Sequence, residues 1–282
     1  MLPVFRSVAA LRQQVAAWRK DGLRIALVPT MGALHLGHLT LVQEARKQAD
    51  RVVVSIFVNP TQFGPNEDFS AYPRQEAEDV AKLESIGTHG VFAPTVEEMY
   101  PPGASTTVSV RGVSEGLEGD FRPGHFDGVA TIVSKLLIQA APDIALFGEK
   151  DYQQLKVISR MAKDLDLPVV IQGVATVREA DGLAMSSRNA YLSPEQRSIA
   201  PALHRVMRQC LAHLQAGAPA ETCLAAGIGE IVGAGFASVD YLALCDAETL
   251  RPLARLDRPA RLIVAARLGK ARLIDNIEAL PT

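Results

Sequence analysis

The run Val52-Val53-Val54-Ser55-Ile56-Phe57-Val58 constrains this chain more than any other stretch. β-Branched residues dominate it and both of its faces are apolar, which suits a parallel strand covered by helices on either side. The neighbouring segments extend the pattern. Residues 24–28, 90–93, 144–147 and 169–172 read as further strands, and apolar residues at helical spacing fill 7–20, 38–48, 74–86, 124–139 and 152–165. Strands that alternate with helices through short connections predict an α/β fold on a doubly wound parallel sheet. Ligands of such sheets lie beyond the carboxyl ends of the strands.

The character changes after Arg188. One long helix over 194–214, a second over 220–232, and strands at 239–244, 260–267 and 271–277 predict a smaller C-terminal α+β domain, with a hairpin through Leu268-Gly269-Lys270. Residues 1–188 and 189–282 are therefore expected to form two domains, joined by a closely packed hinge.

Of the 282 residues, 48% are hydrophobic and 21% charged, which suits an ordinary globular core. A net charge of −2 gives no general attraction to nucleic acid or acidic lipid. Residues 189–282 carry 10 Lys+Arg against 9 Asp+Glu, so that domain is not the basic module of an RNA-binding synthetase relative. Cys210, Cys223 and Cys245 lack metal-type spacing and read as reduced, buried thiols. Met1 to Arg6 has no apolar signal core, and no apolar run approaches the roughly 18 residues that span a membrane. A cytoplasmic location with no membrane or nucleic-acid partner is expected.

Three motifs fall at predicted strand ends. The first is Met31-Gly32-Ala33-Leu34-His35-Leu36-Gly37-His38, where a strand runs into a helix. Backbone N–H groups at such a turn form an anion seat, the glycines admit close approach, and two imidazoles donate hydrogen bonds to a phosphate gaining charge. A single histidine beside glycine is commonly a helix cap, but the pair favours chemistry at the α-phosphate of ATP. The second motif, Asn59-Pro60-Thr61-Gln62-Phe63-Gly64, offers uncharged amides to a small polar acid, with an ordinary Asn-Pro turn as the plain alternative. In the third, Gly148-Glu149-Lys150-Asp151, a lysine is placed to neutralise phosphate, against the alternative of a capped turn with a solvated ion pair.

The loop Met185-Ser186-Ser187-Arg188 sets two hydroxyls beside a guanidinium, a phosphate clamp on a mobile lid or else a solvated loop. One of Gln153 and Gln154 should face the ligand. Arg122 and His125 either reach the site or build a turn. Glu76, Glu78 and Asp79 read as a solvated helix start, with a magnesium ligand the weaker reading of Asp79.

Together these motifs resemble those of the pantothenate synthetase (pantoate–β-alanine ligase) family of the nucleotidyltransferase superfamily. The likeness runs through PTMGALHLGH, FVNPTQFG, EDFSAYPR, RPGHFDGV, FGEKDYQQL and VREADGLAMSSRNAYLS, and covers most of residues 24 to 193. Leu36 stands at the variable position of the His-x-Gly-His element. The C-terminal block is similar in length and pattern more than in motif. The resemblance implies a Rossmann-like first domain and a C-terminal lid. It implies ATP-dependent condensation of (R)-pantoate with β-alanine through pantoyl adenylate, releasing AMP and pyrophosphate, in a cytoplasmic homodimer that needs Mg²⁺. On this basis Met31 to His38, Gly148 to Asp151, Val177 and Met185 to Arg188 bind ATP, with Val177 pairing its backbone with adenine. Gln62, Gln154 and Asn59 bind pantoate, supported by Tyr72, and Gln62 also meets β-alanine. His35, His38, Lys150 and Arg188 act on the phosphates, His38 being the family's catalytic acid. Physically, electrostatic stabilisation of the pentavalent α-phosphate suits His38 better, since pyrophosphate leaves without a proton as a magnesium complex. A nucleotidyltransferase that leaves AMP on its product, and a noncatalytic nucleotide sensor, are the other classes that fit the histidine pair.

Overall fold

The computed structural model describes residues 1–282 apart from Asn66 and Asp68, so Asp68 of the EDFSAYPR stretch lies outside the described residues. The chain divides into two compact units: residues 1–149 with 154–175, and residues 150–153 with 176–282.

In the first unit the strands are β1 (Val4–Phe5), β2 (Ile25–Thr30), β3 (Arg51–Ile56), β4 (Gly90–Phe92), β5 (Ile144–Gly148) and β6 (Val170–Val174). The principal helices are α1 (Val8–Lys20), α2 (Leu36–Arg46) and α3 (Glu76–Ser85), followed by the short α4 (Val96–Met99) and α5 (Glu118–Phe121), then α6 (His125–Ala140) and α7 (Tyr152–Asp164). All strand pairs are parallel, in the order β1-β4-β3-β2-β5-β6. This is the doubly wound sheet expected from the sequence. The two-residue β1, too short to show a period, was not.

Side-chain alternation explains the unbroken apolar strands. Ile25, Leu27, Val53, Phe92 and Ala145 enter one core with α1, α6 and α7. Ala26, Val28, Val52, Val54, Val91 and Leu146 enter a second core, with α2 and Leu83 of α3. Winding proceeds outwards from β2 to β4 and then returns to β5, so the direction reverses between β2 and β5. There the ladder covers only Ala26–Ile144 and Leu27–Ala145, whereas β2 pairs with β3 over six residues. Pro29, which has no N–H to donate, stands just beyond the last β2–β5 pair. The ladder is thus short at the reversal, where a ligand crevice is expected.

In the second unit, α8 (Pro194–Ile199), α9 (Ala202–Gln215) and α10 (Ala220–Gly233) accompany an antiparallel sheet β7-β8-β9 (Ser238–Asp246, Ala260–Leu268, Ala271–Ala279). Leu203, Val206, Met207 and Leu214 pack with Leu262, Val264 and Leu273. The single helix expected over 194–214 is two helices. Pro201, lacking an N–H and crowding the preceding turn, separates them. The expected hairpin turns at Gly269-Lys270, with Gly269 at φ +58°.

The border between the units lies after Ala175, thirteen residues ahead of the expected Arg188. Arg178 accounts for the difference: it pairs with Asp275 of β9 at 2.7 Å, which fastens the 176–188 segment to the second unit. All three cysteines are buried and free, and burial pushes the Cys210 and Cys245 thiols up to about 11. Among the described residues, no helix is long and apolar enough to cross a membrane.

Candidate active site

The turn after β2 holds the two histidines by an unusual backbone. Gly32 (φ +82°) and Ala33 (φ +51°) are both left-handed, a conformation that costs a non-glycine residue about 1 kcal/mol or more. The fully buried Asp79 compensates. Its carboxylate accepts the Ala33 and Leu34 N–H groups, each at 2.8 Å, while Lys82 Nζ donates to the Leu34 carbonyl at 3.0 Å. The reading of Asp79 as part of a solvated helix start is thus corrected. Both of its oxygens serve the turn, which also removes the basis for treating it as a magnesium ligand. Glu78 is exposed as expected, while Glu76 pairs with Arg6.

At φ +82° a Cβ on Gly32 would be strained and would press on Ile56 Cγ2 at 3.1 Å and Asp79 Oδ2 at 3.2 Å, so the fold itself already favours glycine here.

His35 is the N-cap of α2, and His38 is its N3 residue. His35 Nδ1 accepts the Gly37 N–H at 3.1 Å, and His38 Nδ1 accepts the His35 N–H at 3.3 Å, a reciprocal capping box made by two imidazoles. The cap reading is therefore realised, and it leaves the phosphate reading a compatible one. The ring centroids are 4.1 Å apart. With Nδ1 accepting, each neutral ring carries its proton on Nε2 and presents one N–H donor. The backbone anion seat expected here is largely filled from within: the amides of Gly32, Ala33, Leu34, His35 and Gly37 all bond to side chains of the protein.

After β3, Asn59 caps a 3₁₀ turn, Pro60–Gln62. Its buried amide is saturated. Nδ2 donates to Gln62 Oε1 and to the Gly128 carbonyl, both at 3.1 Å, and Oδ1 accepts from Thr61 Oγ1 at 3.0 Å and Tyr100 Oη at 2.9 Å. Asn59 therefore orients Gln62 and has no donor left for pantoate, contrary to its expected binding role. Gln62 Nε2 donates to Met31 Sδ at 3.1 Å. A thioether is a weak acceptor, so this N–H gains by exchanging it for a carboxylate or hydroxyl oxygen.

The start of α6 builds the floor under this turn. A Cβ on Gly128 would lie 2.4 Å from the Thr61 carbonyl oxygen, so only glycine lets the helix touch the turn. His125 Nδ1 donates to the Gln62 carbonyl at 2.9 Å, and its Nε2 accepts from Arg122 at 3.1 Å. Arg122 in turn forms a fork with Glu67 at 2.6 and 2.7 Å. Burial first, and the Arg122 charge second, bring His125 down to about 4, so the ring is neutral. Of the two readings given for Arg122 and His125, the structure realises the turn. Tyr72 is buried with its ring edge-on to Phe63, centroids 5.9 Å apart. Gln153 is buried and Gln154 half-buried, so Gln154 is the one that offers surface. Gly148 has open space where a Cβ would stand.

In the second unit, Val177 to Met185 form a small hairpin closed by the Met185 N–H on the Val177 carbonyl at 3.0 Å and by an Arg178–Ala184 bridge. Ser186 Oγ caps the following turn, accepting the Arg188 N–H at 3.3 Å. This segment is a fastened hairpin rather than an open loop. Lys150 Nζ lies 3.7 Å from Asp151 Oδ2. Among the described residues, no group of three or more His, Cys, Asp or Glu is placed to hold a metal.

A doubly wound parallel sheet with two histidines at the helix start beyond a central strand is the architecture of an α/β protein whose ligand site lies at the strands' carboxyl ends. The comparisons narrow the class. The pantoate-beta-alanine ligase family model matches residues 3–278. The pantothenate synthetase of Paramagnetospirillum magneticum is 63% identical over 278 residues, covering 99% of this chain and 98% of the relative. A crystal structure of pantothenate synthetase from Thermus thermophilus superposes with a TM-score of 0.94 at 48% identity, over 99% of this chain and 100% of that one. A pantoate-beta-alanine ligase from Francisella tularensis, complexed with beta-gamma ATP and beta-alanine, has a TM-score of 0.84 at 33% identity, over 98% and 97%. The chain belongs to the pantoate–β-alanine ligase family.

Proposed function

We propose that this protein condenses pantoate with β-alanine using ATP, in two steps. A pantoate carboxylate oxygen attacks the α-phosphorus, the bond to the β-phosphate breaks, and pyrophosphate leaves with both bonding electrons. The β-alanine amine then attacks the acyl carbon of pantoyl adenylate. The acyl–oxygen bond breaks, AMP departs and the amine nitrogen loses a proton. The observation that carries this reading is the Gln62 amide, pinned by Asn59 and donating to the weakly accepting Met31 thioether, on a turn tied to the histidine-bearing loop.

His35 and His38 act as neutral Nε2–H donors to the α-phosphate. A proton on either Nδ1 would set it against a backbone N–H and break the cap, so charge stabilisation suits His38 better than proton donation. Gln62 and Gln154 hold pantoate, Gln62 also meets β-alanine, and Asn59 and Tyr72 support the turn. Lys150 and Arg188 balance phosphate charge, assisted by Ser186 and Ser187. The backbone N–H of Val177, whose carbonyl is engaged by Met185, pairs with adenine. Asp79, committed to the turn, does not fit a metal role, and Mg²⁺ would enter with the triphosphate as part of the substrate. The protein acts as a cytoplasmic homodimer with small-molecule partners.

Pyrophosphate release tests the first step. With ATP and pantoate but no β-alanine, about one equivalent per active site is expected, then near-arrest. Release that requires β-alanine would refute an independent adenylation.

A further inference from the structure

Asp275 and Asn276 interrupt the apolar strand β9, and both are buried to 2% exposure. Each holds a different segment of the second unit. Asn276 Nδ2 donates to the Lys150 carbonyl at 2.9 Å, and its Oδ1 accepts from Arg261 at 3.2 Å. The Arg261 guanidinium lies 4.2 Å from the Tyr152 ring centroid, and Tyr152 Oη donates to the Ala247 carbonyl at 2.9 Å. The 150–153 segment is thereby part of the second unit although more than 80 residues separate it from β7. Asp275 takes both ends of the Arg178 fork, at 2.7 and 2.9 Å, and Arg178 also donates to the Gly182 and Asn276 carbonyls. One step along one strand thus sets the main chain at Lys150 and the hairpin that leads into Ser186–Arg188.

We propose that Asn276, with Asp275 beside it, is a positioning residue for adenylate formation. It touches no substrate. Its amide sets the Lys150 backbone and so the reach of the ammonium group, while Asp275 sets the hairpin through Arg178. A solvated turn would leave Lys150 to sample many positions, whereas a buried amide bond to its carbonyl leaves few. The inference rests on the assignment of Lys150 to the phosphates.

The test is a double-mutant cycle on the full chain, reading single-turnover pyrophosphate release from ATP and pantoate. Asn276→Asp keeps the shape and the Arg261 contact but cannot donate to the Lys150 carbonyl; Asn276→Ala removes both bonds. Displacement of a charged group by about 1 Å costs up to ~10²-fold in rate, so each variant is expected to slow release by about 10- to 100-fold. Combined with Lys150→Ala, either should add less than about 2-fold to the loss that Lys150→Ala causes alone, because both act through one group. A purely structural role would instead multiply the two losses and lower the melting temperature in step with activity. Multiplied losses, or a wild-type rate for Asn276→Asp, would overturn the proposal. Normal release by Lys150→Ala would overturn the Lys150 assignment, and this inference with it.

Discussion

His38 Nδ1 accepts the His35 N–H and closes the cap, and the proposed mechanism assigns its Nε2–H to a phosphate. If donation of a hydrogen bond rather than a proton is the role, another neutral N–H should serve in part. Replacing His38 by Ala should slow pyrophosphate release about 10²- to 10³-fold, the usual cost of one donor to a developing charge. Gln, with its own amide donor and an oxygen to take the cap, should recover a clear fraction of that loss. ATP affinity, read by equilibrium titration, should change little in either. Gln and Ala variants equally slow would point to proton transfer instead. The place of the histidine pair, at a helix start just after a buried strand, was legible in the sequence because the apolar run and the glycines after it mark that junction. Asp79 was not, since a carboxylate in the first turn of a helix has the same spacing whether it faces water or an inner loop. Asn59 shows the same limit: its amide type was clear, but what saturates it came from Gly128 and Tyr100, distant in sequence.

At the scale of elements, helix α6 is as much a part of the site as the strands. Gly128 permits its contact with the Pro60–Gln62 turn, and His125 fastens that turn from the helix start. The neutral ring makes this junction sensitive to acid. His125 titrates at about 4 in the folded protein against about 6.5 unfolded, so between these values the unfolded chain binds more protons. Stability therefore falls as pH drops through this window and levels off below it. From pH 7 to pH 5 the histidine should account for about 2 kcal/mol of lost unfolding free energy. The Glu67 carboxylate, held below its usual range by Arg122 against the opposing effect of burial, contributes its loss only further down. Urea unfolding at both pH values checks this: His125→Asn should lose less than the wild type over the same interval. An equal loss would show that His125 is not the titrating group. The strands themselves were legible because parallel pairing buries both faces. Two features were not: a two-residue β1, and a helix broken by Pro201, since proline is also at home in the first turn of a helix.

For the whole molecule, the two units divide the proposed chemistry. The first brings the histidine pair and the amides for a hydroxy acid; the second carries Lys150 and the Ser186–Arg188 turn on a frame fixed by β9. That division was hard to read from sequence because Lys150–Gln153 folds with strands far along the chain, through backbone contacts that leave no motif. The expected border at Arg188 followed a change in the pattern of helices and strands, whereas the Arg178–Asp275 pair sets the observed one. The central claim is that the carboxylate of pantoate becomes bonded to the α-phosphate of ATP. Pantoate labelled with ¹⁸O in both carboxylate oxygens tests it most directly. After turnover with ATP and β-alanine, mass spectrometry of the AMP should show one ¹⁸O per molecule, with the other retained in the amide product. AMP free of label, or ADP and phosphate in its place, would contradict the account.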